Sequence, residues 1–491
     1  MEWQQRIKYN LEEMMKSIWS ETCDIPQREP LRGDMETEIA VIGAGMAGVL
    51  IAFALQRAGR QVAVFEAKRI ASGQTRNTTA KITAQHGLFA DRLIKTLGEE
   101  RAKKYAEANL AAIDVYRTLI AKENIACDFS DESAFVYGDD ESLLENEAKA
   151  QAALGLKASL VRNPDVPGRA KAAVRADGQA QFHPLKFLKA ISEPLMIYEN
   201  TPVITVDGEE LQTGGGRVRA KKVVFACHYP FINFPGMYFA RMHQERSYVL
   251  ALENASIPGG MWIGAGDGGY SFRGYGDIVL FGGEGHRTGE NSAGGKYDAL
   301  RRKAREFFPN SRVKTCWSAQ DCITADGVPY IGRYSDSTPN WYVATGFQKW
   351  GMTSSMVSAI LLRDMIFGRE NPYADAFDPG RFDLKAVTGT VSEGAQAVKG
   401  LTRTLLKIPK EKADELPRGH GGVVFLNGEK VGAYKDEKGE VHAANIKCPH
   451  LGCQLEWNPD EKTWDCPCHG SRFDAYGELI SGPAQENLDR E

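Results

Sequence analysis

The rhythm of apolar and polar positions changes several times along the chain. Trp3–Trp19 carries apolar residues at helical spacing, and Pro26 and Pro30 then break the pattern. Ile39-Ala40-Val41-Ile42 is an apolar strand that runs into glycines, and Val49 to Ala58 continues with helical character until Gly59. Gln61 to Phe65 reads as the next strand. The pattern then predicts helix around Asp91–Glu123, a strand-rich stretch over Met237–Gly283 and a helix from about Thr353 to Phe367. Residues Asp383–Arg418 are rich in Lys, Thr, Ala and Gly and read as a connector, with a helix near Gln396–Leu406. Beyond it, Val423–Leu426 and Lys430–Tyr434 flank Asn427-Gly428, which predicts a β-hairpin.

Composition adds bounds. A chain of 491 residues has room for two or three domains. A net charge of -4 leaves no bulk basic surface for nucleic acid. The most apolar stretch, Ile39–Leu55, is interrupted by glycines and too short to span a bilayer. Glu2, Arg6 and Glu12-Glu13 do not follow the basic-then-apolar order of a secretion signal, so a cytoplasmic protein is expected.

The last quarter of the chain holds chemistry of unusual spacing. Cys448-Pro449-His450 is a Cys-x-His pair; after fifteen intervening residues Cys466-Pro467-Cys468-His469 supplies Cys-x-x-His. Two thiols and two imidazoles could hold zinc, but zinc sites usually pair Cys with Cys and His with His. Mixing one of each in both halves suits a [2Fe–2S] centre with two Cys on one iron and two His on the other. From about Leu416 to Asp489 the chain resembles a Rieske domain, including the Gly482-Pro483-Ala484 loop that packs over such clusters. The resemblance implies that Cys448, His450, Cys466 and His469 are ligands. It also implies a disulfide between Cys453 and Cys468, the brace of bc-type Rieske proteins, against the alternative of two buried thiols. Ser471 stands where a hydroxyl donates to a cluster sulfur, and Phe473 where high-potential relatives carry Tyr; without that second donor a lower potential is expected. Cys23, Cys127, Cys227, Cys316 and Cys322 show no metal spacing and read as buried thiols.

A second redox centre is expected near the other end. Gly43-Ala44-Gly45-Met46-Ala47-Gly48 follows a strand and opens a helix. The first glycine makes the turn, the second lets a pyrophosphate approach, and the third allows close helix–strand packing. Glu66, eighteen residues after Gly48, is placed to bond an adenosine ribose. Arg69 and Ser72–Lys81, with Thr75 among them, resemble the small-residue loop of the D-amino-acid-oxidase-like (DAO) flavoproteins. Asp326-Gly327-Val328-Pro329-Tyr330-Ile331-Gly332, Ala344-Thr345-Gly346 and Gly351 match that family's returning FAD segment, and Lys222–His228 its flavin-side strand. The alternative is an NAD-binding domain with coincidental downstream matches. The resemblance implies FAD, held by Gly43, Gly45, Gly48, Glu66, Arg69, Thr75, Gly346 and Gly351.

The expected architecture is an α/β FAD-binding Rossmann-like domain with an interleaved α+β substrate domain, followed by an all-β Rieske domain. Boundaries are an arm over 1–35, the oxidoreductase over 36–380, a connector over 381–415 and the Rieske domain over 416–491. Within the oxidoreductase, FAD pieces are expected at about 36–85, 165–230 and 312–370. Glycine-oxidase-like relatives hold the substrate carboxylate with an Arg before the D-G-x-P motif; a gapless alignment puts Asp321 there, which suits a cationic amine, unless Asp321 pairs with Arg246. His228, His243 and His286 lie in or beside pocket segments of relatives, and His286 and His228 join Asp321 as candidate catalytic groups. Cys316 or Cys322 is a candidate covalent tether for FAD.

The function expected is oxidation of a small substrate by FAD, with electrons relayed through the cluster to an external acceptor. The alternatives are a cluster-fed flavin reductase or a redox sensor or carrier without turnover. No D-x2-D-H-x4-H-like segment supports a Rieske oxygenase.

Overall fold

The computed structural model describes residues 15–266, 268–381, 413–426 and 428–490. The helix expected at Gln396–Leu406 lies outside them, as does most of that expected at Trp3–Trp19, whose end forms the short helix Ile18–Thr22. From there Trp19 is fully buried and donates its indole N–H to the Thr78 carbonyl at 2.7 Å, so the arm crosses the segment after Glu66.

The chain enters the first sheet with β1 (Met35–Ile42), crosses through helix α1 (Met46–Arg57) to β2 (Val62–Phe65), and returns with β3 (Gly216–Phe225). It leaves for a second sheet through β4 (Met242–Glu253), β5 (Ile278–Arg287), helix α2 (Lys296–Phe307) and β6 (Arg312–Thr324). It then rejoins the first with β7 (Tyr330–Arg333) and β8 (Trp341–Thr345), followed by helix α3 (Gly351–Ile366). The order in the first sheet is β7-β8-β3-β1-β2, and β8, β3, β1 and β2 run parallel. Every residue of β2 is buried, as expected where helices cover one face and other strands the other. Val49, Ile51 and Leu55 of α1 pack with Val357, Leu361 and Leu362 of α3 in the main core.

The second sheet has nine strands and contains β6-β4-β5 at one edge. It differs from the expected division in three places. Lys81–Ile82, Ala172–Gln181 and β6 fall within the expected FAD pieces, yet all three pair within this second sheet. The expected helix over Asp91–Glu123 is two helices, Ala90–Leu97 and Glu99–Lys122, because Gly98 between them takes a positive φ of 80°.

Side chains of β4 and β6 alternate between two faces. Val249, Ala251 and Trp317 on one face join the main core, whereas Tyr248, Leu250 and Cys316 on the other pack under Tyr297 and Leu300 of α2. Toward the strand ends the alternation continues: His243, Glu245, Asp321 and Ile323 share the first face, and Gln244, Arg246, Gln320 and Cys322 the second. The C-terminal domain covers that second face.

The C-terminal domain is built of two small sheets. One contains β9 (His420–Leu426), β10 (Glu429–Lys435) and β11 (Val441–Ala444), so the expected hairpin is present. The other contains β12 (Glu456–Asn458), β13 (Thr463–Asp465), β14 (Arg472–Asp474) and β15 (Leu479–Ser481). Leu455, Trp464 and Phe473 form their shared core with the cysteines.

Candidate functional site

Cys448 and His450 lie on the loop between β11 and β12, and Cys466 and His469 on the loop between β13 and β14. Each loop closes on itself: Gly452 N donates to Cys448 O at 2.8 Å, and Gly470 N to Cys466 O at 2.9 Å. The disulfide Cys453–Cys468, with Cα atoms 6.6 Å apart, ties the loops together. His450 and His469 face each other at right angles with their Nδ1 atoms 3.2 Å apart, and the Cys448 and Cys466 thiols are in contact. Burial lowers His450 to about 4 and His469 to about 3, so both rings are neutral and have a lone pair to give. The two thiols titrate as one pair: their mutual contact brings Cys448 down and pushes Cys466 up, so one of them ionises first. Two thiols and two convergent imidazole nitrogens in a buried tip fit a [2Fe–2S] cluster with mixed ligands. Ser471 Oγ accepts from Ala484 N at 2.9 Å and touches Cys448, so its hydroxyl hydrogen is turned toward that sulfur. Phe473 is fully buried in the same core.

This tip is seated on the two larger sheets of the chain. Gln244 Nε2 donates to His469 O at 2.6 Å, and Gln320 Nε2 to Gly470 O at 2.8 Å. A Cβ on Gly470 would lie 2.7 Å from Gln244 Cβ, so only glycine allows the approach. Asn233 Oδ1, on the loop after β3, meets His450 Nε2 at 2.8 Å. Arg246, 2% exposed, grips Glu461, which also accepts from Ser318 at 2.5 Å and pairs with Arg472 at 3.2 Å. Asp460 caps the start of α2 through Gly295 N and Lys296 N, and Lys68 reaches Leu479 O and Ile480 O. None of Asn233, Gln244, Gln320 or Glu461 was marked by the sequence; as single polar residues in unrelated segments they leave no spacing signal.

The glycine turn has the shape a dinucleotide needs. A Cβ on Gly43 would sit 2.7 Å from Ala226 O, and one on Gly48 only 1.8 Å from Gly43 O. On Gly45 it would meet, among the described residues, just Thr75 Oγ1 at 3.4 Å, which leaves that flank open to them. Glu66, at the end of β2, is held by Ala44 N at 2.8 Å and Lys68 N at 2.9 Å. Thr75 Oγ1 accepts from Met46 N at the start of α1, and Gly351 opens α3 with free space beside it. Gly346, with φ of 71°, packs against Thr324 and Met242. His228, also at positive φ, stands buried at the carboxyl end of β3, with its ring against Gln244 and its Nε2 without a hydrogen-bond partner among the described residues. These features fit FAD. Arg69 does not join them: its guanidinium lies 2.9 Å from buried Glu199 and donates to Ile25 O, which anchors the arm.

The three candidate catalytic residues are not brought together. Asp321 stands opposite Glu245 on the face shared with the main core. Its alternative partner Arg246 is on the other face, engaged by Glu461. His286 is opposite Arg246, between Tyr248 OH at 3.0 Å and Arg287 O at 2.8 Å, so it lies across the sheet from Asp321. His228 faces Gln244, and burial lowers it to about 4. Around Asp321 are instead Glu245, His243 at 3.4 Å from Glu245, and Lys349 at 3.2 Å from Glu245. Burial pushes Asp321 up to about 7, while the His243 contact and Lys349 bring Glu245 down to about 2. Of the candidate tethers, Cys316 is buried beneath α2 and Cys322 donates to His228 O at 3.4 Å.

Comparison with known proteins agrees with this geometry. The FAD dependent oxidoreductase (DAO) family matches residues 38–365, and the Rieske [2Fe-2S] domain matches residues 407–490. A Bacillus subtilis (strain 168) protein named as a Rieske 2Fe-2S iron–sulfur protein, YhfW, is 36% identical, with 97% of each chain covered. The cytochrome b6-f complex iron-sulfur subunit of Chlorobaculum thiosulfatiphilum is 38% identical over 72 residues, 15% of this chain and 39% of that one. Glycine oxidase from Geobacillus kaustophilus has the same fold over 71% of this chain and 99% of its own, with TM-score 0.60 and 17% identity. L-proline dehydrogenase from P. horikoshii covers 72% of this chain and 98% of its own, with TM-score 0.59 and 19% identity. Among the described residues no helix is long and apolar enough to cross a membrane. The DAO domain binds FAD and the Rieske domain binds a [2Fe–2S] cluster. The chain belongs to the DAO family of FAD dependent oxidoreductases, extended at its C-terminus by a Rieske domain.

Proposed function

We propose that this oxidoreductase is a dehydrogenase of a small amine-type substrate, and that its electrons leave through the Rieske cluster to an external acceptor. Cys448, His450, Cys466 and His469 hold the cluster; Gly43, Gly45, Gly48, Glu66, Thr75, Gly346 and Gly351 line the FAD site. When bound, FAD takes electrons in pairs and the cluster carries them singly. The observation that carries the reading is the seating of the ligand loops on Gln244 and Gln320, on the reverse of the strands that present Glu245 and Asp321.

The residues supply the rest. Glu245 is a fixed anion that suits a cationic amine, and Asp321, raised to about 7, takes up or releases a proton near neutrality. The two structural neighbours named above are, by name, a glycine oxidase and an L-proline dehydrogenase; Asp321, at the position where a carboxylate-binding Arg is expected, favours a substrate without a free carboxylate. The test is anaerobic mixing of the holoprotein with amines, imino acids or reduced ferredoxin, following flavin absorbance and the cluster EPR signal together. An amine should bleach the flavin and then produce the reduced-cluster signal. Reduction of both centres by ferredoxin, with no response to any amine, would overturn the reading in favour of a cluster-fed reductase.

A further inference from the structure

The contact between Asn233 and His450 joins residues 217 positions apart and belongs to two different domains. Asn233 is well placed to hold a fixed position. Tyr334 OH donates to the neighbouring Ile232 carbonyl, and Met237 N donates to Asn233 O at 3.1 Å. Gly236, with φ of 102°, is pressed between the Tyr334 and Tyr238 rings, where a Cβ would come within 2.7 Å of the former. The loop is therefore pinned to the first sheet's core, beside Tyr229, whose hydroxyl donates to Met242 O at 3.3 Å.

The ring facing it has its roles decided by chemistry. His450 Nδ1 is the atom turned toward His469 Nδ1, so Nδ1 is the nitrogen that gives its lone pair to iron. A neutral imidazole bound through Nδ1 carries its hydrogen on Nε2, and that hydrogen needs an acceptor. Asn233 Oδ1, 2.8 Å away, is that acceptor, and this requirement orients the amide with its oxygen toward the ring. An acceptor on the outer N–H of a metal-bound histidine fixes the ring and makes it a stronger donor.

We propose that Asn233 is a positioning residue for the cluster: the oxidoreductase body supplies the hydrogen-bond acceptor that orients His450 and raises its electron donation to iron. Docking and the cluster's electronic state are thereby linked. An undocked tip would lose this partner together with the Gln244 and Gln320 contacts to the His469 and Gly470 carbonyls. Stronger donation from His450 favours the oxidised cluster, so the bond lowers the reduction potential. The inference rests on the reading of Cys448, His450, Cys466 and His469 as the ligands.

The experiment is an EPR-monitored redox titration of the full-length holoprotein, at one fixed pH, for wild type, Asn233→Leu and Asn233→Asp. Leu keeps the shape and removes the acceptor; Asp keeps the acceptor and strengthens it. The expected order of potentials is Leu above wild type and Asp below it, with cluster loss to a chelator about tenfold faster in the Leu variant. A purely structural role would not move the two potentials in opposite directions. Potentials that stay at the wild-type value, or shift the same way in both variants, would overturn the proposal. If the Leu variant keeps no cluster, the Asp variant decides: a potential below wild type supports the bond, and an equal or higher one ends it. Wild-type protein without a mixed-ligand [2Fe–2S] signal would instead overturn the ligand assignment itself, and with it this inference.

Discussion

Gly43, Gly45 and Gly48 occupy one motif for three separate reasons. At Gly48 an added Cβ would lie 1.8 Å from a backbone oxygen, so Gly48→Ala should cost the fold of the turn and lower the melting temperature. At Gly45 an added Cβ would meet, among the described residues, just Thr75 Oγ1 at 3.4 Å, so Gly45→Val should give a folded protein that purifies without flavin. Flavin absorbance per protein and a thermal melt separate the two outcomes; full FAD occupancy in Gly45→Val would mean that the open flank serves another purpose. Asp321 offers a different single-residue test. Its carboxyl is raised to about 7 in the fold, so its stabilising contribution is present below the ordinary carboxyl range and is lost as pH rises through 7. Glu245 beside it is lowered to about 2, so its contribution falls away only in acid. Melts of the holoprotein between neutral and mildly acidic pH should therefore slope downward with rising pH, and Asp321→Asn should flatten that slope. If Asp321 also accepts the substrate's proton, kcat/KM rises through the same window in wild type and has no such limb in the variant.

At the scale of elements, legibility depended on how local the cause was. The strand–turn–helix over Glu38–Ala58 and the two cysteine–histidine loops were readable because their reasons lie within a few residues. The membership of Ala172–Gln181 and β6 in the second sheet was not, because strand pairing joins segments far apart and no residue in either strand announces its partner. Met242–Glu253 falls in the expected strand-rich stretch and is a strand of that sheet, but what covers its first residues was not legible. His243, Gln244, Glu245 and Arg246 are polar in succession, so the alternation that usually marks a buried face is absent. Both faces are covered by polar partners: Lys349 and His243 meet Glu245 on one, and the Rieske domain meets Gln244 and Arg246 on the other. The Arg246–Glu461 pair is buried and shared with Ser318 and Arg472. Removing Arg246 alone leaves Glu461 facing one cation fewer in a dry interface, and Arg246→Ala should destabilise the docked state by about 3–5 kcal/mol. Arg246→Met combined with Glu461→Met should cost less than the two single changes added together. Urea unfolding, read by the loss of the cluster's visible bands, measures both; additive single effects would show that the pair does not hold the interface.

For the whole molecule, the two redox domains form one seated assembly in which the Rieske tip contacts β4, β6 and the loop after β3. That arrangement decides how an electron relay should be tested. Deleting the chain after Arg418 would uncover Arg246, Gln244 and Gln320, and Asn291 would lose Asn458 and Asp460, so a slow truncated enzyme would not separate a lost cluster from strands β4 and β6 disturbed on their uncovered face. The cleaner variant keeps the domain and removes its cluster, through Cys448→Ser with Cys466→Ser and the Cys453–Cys468 disulfide left in place. If electrons leave through the cluster, this variant should still have its flavin bleached by substrate at the wild-type rate. Its turnover with a one-electron acceptor such as ferricyanide should fall by about tenfold or more, at least the loss that follows when a metal ligand's outer-shell partner is removed. Gln244→Ala with Gln320→Ala should give an intermediate rate, because the cluster is present but less firmly seated. Wild-type turnover in the cluster-free chain would mean that the flavin meets the acceptor directly, and the Rieske domain would then be better explained as a sensor of redox state than as a conductor.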